Sequence, residues 1–216
     1  MDDSIRSAVA VMKRAMVLKE LPRTGWILEG VPRSQSDSVA AHSWSVSLVS
    51  LIMFELLHSK FPHLRLERIL AMSTMHDLPE SLTGELCPEF KRLVSNTLKE
   101  PTLFARIDRI VLARLLGGIA GEQVLVSVVE EYYACETSEA KLVKFANVLD
   151  SLFYSQDKLL KVYKRYLDEA KERLRYKSPE VDDGLGSSLA DLLDDLVAEW
   201  DCIEPASGKS DDSPAP

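Results

Sequence analysis

The sequence predicts an all-α protein. Three observations carry this: apolar residues recur at helical spacing through most of the chain, strand-like alternation is hard to find, and glycine is scarce, at 9 of 216 residues. With 46% apolar residues, the chain holds enough material for one sizeable core.

Taken in order, residues 3–19 read as an amphipathic helix. The stretch "ELPRTGWILEGVPRSQS" (20–36), broken by proline and glycine, reads as loop. Asp37 or Ser38 is placed to cap a second helix over 38–58. A third spans 66–78 and stops near Pro79, because proline supplies no N–H to the helix ladder. Pro88 opens a fourth over 88–98. A fifth covers 101–116 and ends at Gly117 and Gly118. A sixth covers 121–134. Thr137 and Ser138 cap a long seventh from 139 to 163, continuing or kinking to 176. These helices make one body, 1–176. A linker is expected over 177–186, then a short acidic helix over 187–203 with Leu189, Leu192, Leu193, Leu196, Val197 and Trp200 on one face. Residues 204–216, "EPASGKSDDSPAP", are expected to be disordered.

The net charge of −8 is unevenly placed. Eleven of the 34 acids, but one of the 26 bases, lie from Glu180 onward, which leaves the rest nearly neutral. A neutral body with an acidic end argues against a nucleic-acid binder. Cys87, Cys135 and Cys202 are isolated and odd in number, as expected of thiols in a reducing compartment. Charges at Asp2, Asp3, Arg6, Lys13 and Arg14 interrupt any signal-peptide pattern. The most apolar run, Val46 to Leu57, is short for a membrane span and contains Glu55. The expectation is a soluble, cytoplasmic protein without a membrane partner.

Several polar residues fall on helix faces that should be buried. His42 shares a stripe with Val46, Val49, Met53 and Leu56. His76 shares one with Ile69, Met72 and Ser73, and Asp77 and Glu80 follow it at once. The seventh helix has two inward stripes. One is Leu142, Phe145, Ala146, Leu149 and Phe153; the other is Ala140, Val143, Asn147, Asp150 and Tyr154. A buried carboxylate is costly unless cations or donors compensate it. A divalent ion held among three helices would do so. Hydrogen-bonded core histidines and solvated acids are the plainer alternatives, and the pattern alone leaves both open.

Four segments together resemble the HD-domain metal-dependent phosphohydrolases, and within them the 5'-deoxynucleotidase-like branch. They are "LPRTGW" (21–26), "DSVAAHSWS" (37–45), "HDLPESLTGEL" (76–86), which follows HD-x-x-E-x-x-x-G-D up to its last residue, and "ETSEAKLVKFANVLDSL" (136–152). The resemblance runs from Lys19 to Gln156. It implies an HD-domain helical bundle, usually a homodimer, that removes phosphate from nucleoside 5'-monophosphates with one divalent ion: Mn²⁺, Co²⁺, Mg²⁺ or Zn²⁺. By the same resemblance His42, His76 and Asp77 are metal ligands. Glu80 moves a proton or orients the attacking water, Arg23 clamps the phosphate, and Trp26 and Glu85 border the sugar.

The chain departs from the family pattern at four positions. Asn147 stands where the last ligand is an aspartate, and a neutral amide oxygen is a poorer partner for a divalent ion. Asp150, on the same stripe, is a possible replacement, although about 4.5 Å further along the axis. Glu85 replaces an aspartate, Tyr133 replaces the last acid of an "EEYE" pattern, and Ala41 stands where an acid is common. These losses define an alternative: a degenerate HD domain that binds a nucleotide or protein partner without turnover. A helical interaction protein is the third reading.

Overall fold

The structure, a computed structural model, describes residues 3–158 and 184–202, with positions 163, 167–168 and 170–171 between them. The described residues form helices joined by turns and loops and contain no β-strand. One isolated bridge joins Pro22 to Ser38. The helices are α1 (Asp3–Ala15), α2 (Thr24–Leu28), α3 (Val39–Leu57), α4 (Leu66–Met75), α5 (Glu80–Thr83), α6 (Pro88–Leu98), α7 (Leu103–Leu116), α8 (Glu122–Ala134), α9 (Ser138–Lys158) and α10 (Leu185–Cys202). The chain divides into two compact units, Met1–Glu169 and Ala170–Pro216.

Local signals account for most boundaries. Ser38, not Asp37, caps α3: its hydroxyl accepts from the Ala41 N–H at 3.1 Å. Pro88 occupies the first turn of α6, where a missing N–H costs nothing. The Thr137 hydroxyl accepts from the Ala140 N–H at 3.2 Å and so satisfies one orphan donor at the start of α9. The first helix is shorter than expected: α1 stops at Ala15 and a 3₁₀ turn, Met16–Lys19, follows. The 20–36 loop contains the short helix α2, too brief for a periodic signal. The linker expected over 177–186 lies outside the described residues up to 183, and Leu185 and Gly186 already belong to α10. The tail, 204–216, and any continuation of α9 to 176 as one helix likewise fall largely outside them.

In the first unit, α3 packs against α4 and α9, and α8 packs against α4, α7 and α9. The α9 helix is central. Ala140, Leu142, Val143, Phe145, Ala146, Leu149 and Leu152 are all buried, so both expected stripes face protein. They meet Val46 and Met53 of α3 and Ile69 and Met72 of α4 in one apolar core. A second cluster forms where Leu112 and Leu116 of α7 meet Val126 and Val129 of α8.

The α3 helix differs from its reading as a short apolar run. It is 19 residues long and apolar enough to cross a membrane by length and composition, because it extends through the uncharged residues before Val46. One face nevertheless enters the core through Val46 and Met53 and carries the buried His42. Trp44, Leu48, Ile52 and Leu56 line its exposed side.

Candidate functional site

Three helix ends and one loop converge around two histidines. His42 lies in the first turn of α3, which the Ser38 cap and the Pro22–Ser38 bridge fix in place. His76 closes α4, and its N–H still bonds to the Met72 carbonyl at 2.9 Å. Beyond it the chain tightens into i to i+3 bonds: Leu78 N–H to Met75, Glu80 N–H to Asp77 and Ser81 N–H to Leu78, at 3.0, 3.0 and 3.1 Å. This compact turn around Pro79 brings His76, Asp77 and Glu80 into one small region.

The ring nitrogens have defined roles. His76 Nδ1 lies 2.9 Å from the Ser73 carbonyl, which can only accept, so Nδ1 carries the proton. Its Nε2 is buried with no hydrogen-bond partner and lies 3.2 Å from Asp77 Oδ2. His42 Nδ1 lies 2.5 Å from Asp150 Oδ2, and its Nε2 is 3.7 Å from the same Asp77 oxygen. A carboxylate on Nδ1 leaves the Nε2 lone pair facing Asp77. Burial and the Arg23 charge lower the His42 pKa and so favour the neutral ring.

Two imidazole lone pairs and one carboxylate oxygen therefore point at a common place. The candidate ligand atoms of His42, His76 and Asp77 lie within 4.8 Å of one another. Bond lengths of about 2.0–2.2 Å to a first-row divalent ion suit donors at such separations. The unpartnered His76 Nε2 fits the same assignment, since a buried polar atom left unpaired is costly. Burial raises the Asp77 carboxyl, but the two histidines and Arg23 outweigh it and hold the group well below the usual range.

Asp150 and Asn147 occupy different positions from one another. Asp150 is bonded to the outer nitrogen of His42, where it orients the ring. Burial raises its carboxyl, and the His42 hydrogen bond more than reverses this. The Asn147 amide donates to the Tyr132 hydroxyl at 2.8 Å, and the Tyr132 ring sits 5.2 Å from that of His76.

The loop residues form the other wall. Arg23 is held by its N–H bond to the Asp37 carbonyl at 3.0 Å, and its Nε is 3.7 Å from Glu85 Oε1. Its Nη1 is buried without a hydrogen-bond partner. Glu85, expected to border the sugar, has its Oε2 accepting from the Thr24 N–H at 2.7 Å and from the Thr24 hydroxyl, which pins the start of α2. Trp26 is 3% exposed and stacks on Tyr154 with centroids 4.9 Å apart. Glu80 is buried, with Lys91 of α6 at 3.5 Å from its Oε1 and no partner on Oε2. Burial, reinforced by Asp77, pushes its carboxyl up to about 9.

Sequence reasoning missed four neighbours. Asp37, weighed only as a helix cap, lies with His42 and Asp150 in a second cluster, and burial pushes its carboxyl up to about 6. Lys91 sits on an exposed-looking helix and gave no signal. Asp108 of α7 accepts from the Tyr133 hydroxyl at 2.5 Å. Tyr132 adjoins the "EEYY" departure but had no assigned role.

A family model described as HD domain matches residues 15–184. The chain is 31% identical over 129 residues to 5'-deoxynucleotidase HDDC2 of Dictyostelium discoideum, covering 59% of this chain and 64% of that protein. It is 27% identical over 146 residues to 5'-deoxynucleotidase HDDC2 of Danio rerio, covering 68% and 66%. The matches thus span just under two thirds of the length of these relatives. Among solved structures, PH0347 protein from Pyrococcus horikoshii superposes with a TM-score of 0.68 at 23% identity, over 87% of this chain and 97% of that one. A chain from Magnetospirillum magnetotacticum, titled a predicted metal-dependent phosphohydrolase, gives 0.62 at 17% identity over 92% and 97%. At these identities the structural likeness is one of fold.

Proposed function

Because the chain belongs to the HD-domain family of phosphohydrolases, we propose that it removes phosphate from nucleoside 5'-monophosphates, deoxy forms included, with a divalent ion held by His42, His76 and Asp77. One observation carries the reading: the Nε2 lone pairs of two buried histidines converge with an Asp77 oxygen, and one of those nitrogens has no other partner. The relatives named 5'-deoxynucleotidase support the substrate class.

When bound, the ion supplies a Lewis acid and a lowered pKa for coordinated water. The side chains do the rest. Asp150 holds His42 in the tautomer that offers Nε2, and the Ser73 carbonyl does the same for His76. Arg23 presents a buried, unpartnered Nη1 to a phosphate oxygen, where a planar guanidinium forks well onto phosphate. Glu80, buried beside Asp77 with one carboxylate oxygen unpartnered, moves a proton or orients the attacking water. Glu85 and Thr24 keep Arg23 and the Trp26–Tyr154 stack in register.

The engagement of Asn147 with Tyr132 favours a second reading, a domain that binds a nucleotide without turning it over. Phosphate release from a panel of ribo- and deoxynucleoside monophosphates and sugar phosphates, with Mn²⁺, Co²⁺, Mg²⁺ or Zn²⁺, separates the two. Release by the wild type, abolished by His42→Ala or Asp77→Ala together with metal binding, is the expected result. Should neither wild type nor Asn147→Asp release phosphate while a nucleotide still raises the melting temperature, the binding reading stands instead.

A further inference from the structure

Asn147 has a consequence for its neighbour. Its Nδ2 donates to the Tyr132 oxygen at 2.8 Å, so that oxygen acts as an acceptor and the phenolic proton is left for another acceptor. Among the described residues nothing else accepts it. Tyr132 is 4% exposed, and its ring is held from two sides. The His76 ring lies 5.2 Å away, and the Lys144 ammonium lies 3.5 Å from its centroid. The ring therefore has little freedom, and it packs beside the histidine whose Nε2 faces Asp77, while Asn147 holds the hydroxyl.

A carboxylate at position 147 would reverse this polarity. It has no proton to give, so it would take the phenolic one. The amide instead donates, and the phenol keeps its own proton for a ligand. We propose that Tyr132 donates a hydrogen bond to a phosphoryl oxygen of the substrate, in the polarity that Asn147 imposes. Tyr132 is then a substrate-binding residue and Asn147 its positioning residue. The proposal rests on the phosphohydrolase reading above and adds a residue to it.

The test uses the full chain loaded with Mn²⁺ and inorganic orthophosphate as probe, with binding followed by calorimetry. Tyr132→Phe should weaken orthophosphate binding roughly ten- to hundredfold, the range for a hydrogen bond to a charged group. It should raise KM for a nucleoside monophosphate in parallel and leave Mn²⁺ affinity within about twofold of wild type. In the Asn147→Asp background, where the phenolic proton is already taken, Tyr132→Phe should change phosphate affinity by less than about twofold. Unchanged phosphate binding in Tyr132→Phe overturns the proposal. So does an equal loss in both backgrounds, or a matching loss of Mn²⁺ affinity, which would mark a structural role. If Tyr132→Phe does not fold, the pair Tyr132→Phe with Asn147→Leu leaves neither polar group unpaired, and the same phosphate loss is expected of it. A wild-type chain that neither binds orthophosphate nor releases it from any monoester overturns the functional reading itself, and this proposal with it.

Discussion

Asp150 shows how much a single position depends on its neighbours. On the sequence it competes with Asn147 as a replacement ligand; in the structure it holds the outer nitrogen of His42 at 2.5 Å. Outer partners of ligating histidines typically tune metal affinity 10- to 100-fold, so Asp150→Asn should weaken divalent-ion binding by about that factor. The melting temperature without added metal should change little, and metal titration checks the difference. Asp108 allows a prediction for pH. Burial raises its carboxyl above the ordinary 3.8, although the Tyr133 hydroxyl pulls the other way. A carboxyl raised in the folded state binds its proton more tightly there than in the unfolded chain. Its stabilisation is full below the unfolded value and is lost as pH rises through the folded one. Asp108→Asn, which cannot ionise, should melt higher than wild type at pH 8, with the gain shrinking towards pH 4. A gain that grows on acidification would contradict the assignment.

At the scale of elements, short features position the chemistry. The Ser38 cap, the Pro22–Ser38 bridge and the turn at Pro79 aim His42, Arg23 and His76 at one another. Removing an N-cap hydroxyl costs about 1 kcal/mol. Ser38→Ala should therefore lower the melting temperature by about 2–4 °C, as read by circular dichroism. Because the cap fixes the turn that carries His42, a weaker metal affinity should accompany the shift. A variant that melts lower but binds metal as tightly would show that the α3 start is held by the bridge alone. Most helix boundaries were readable from Pro88, Gly117, Thr137 and the apolar stripes. The α2 helix was not, because five residues are too few to show a period. Nor was the far end of α3: Leu56, expected on the inward stripe with His42, is exposed, because apolar residues on both sides of that helix blur its periodicity.

For the whole molecule, the acidic helix and the site belong to different units. Every residue assigned to the site lies in the unit Met1–Glu169, whereas the acidic α10 lies in the unit Ala170–Pro216. Replacing Asp191, Asp195 and Glu199 together by their amides should leave metal affinity and KM within about twofold of wild type. All three are exposed, and salt screens the charges of exposed side chains. A clear fall in metal affinity would mean that the acidic helix contributes to the field at the site.

The sequence by itself determined the helical class, the central place of α9, and the inward positions of His42 and His76, because helical periodicity and the placement of proline and glycine are local properties of the chain. The ordered motifs around Arg23, His42, His76 and Asn147 also pointed to the family. Only the tertiary structure decided what each polar group touches. That Asp150 meets the outer nitrogen of His42, that Glu85 ties down Thr24, and that Asn147 turns to Tyr132 are pairings across 108, 61 and 15 residues. Such pairings depend on the relative placement of packed helices to within an ångström or so. A hydrogen bond is gained or lost over that distance, whereas burial, which periodicity reports, is not.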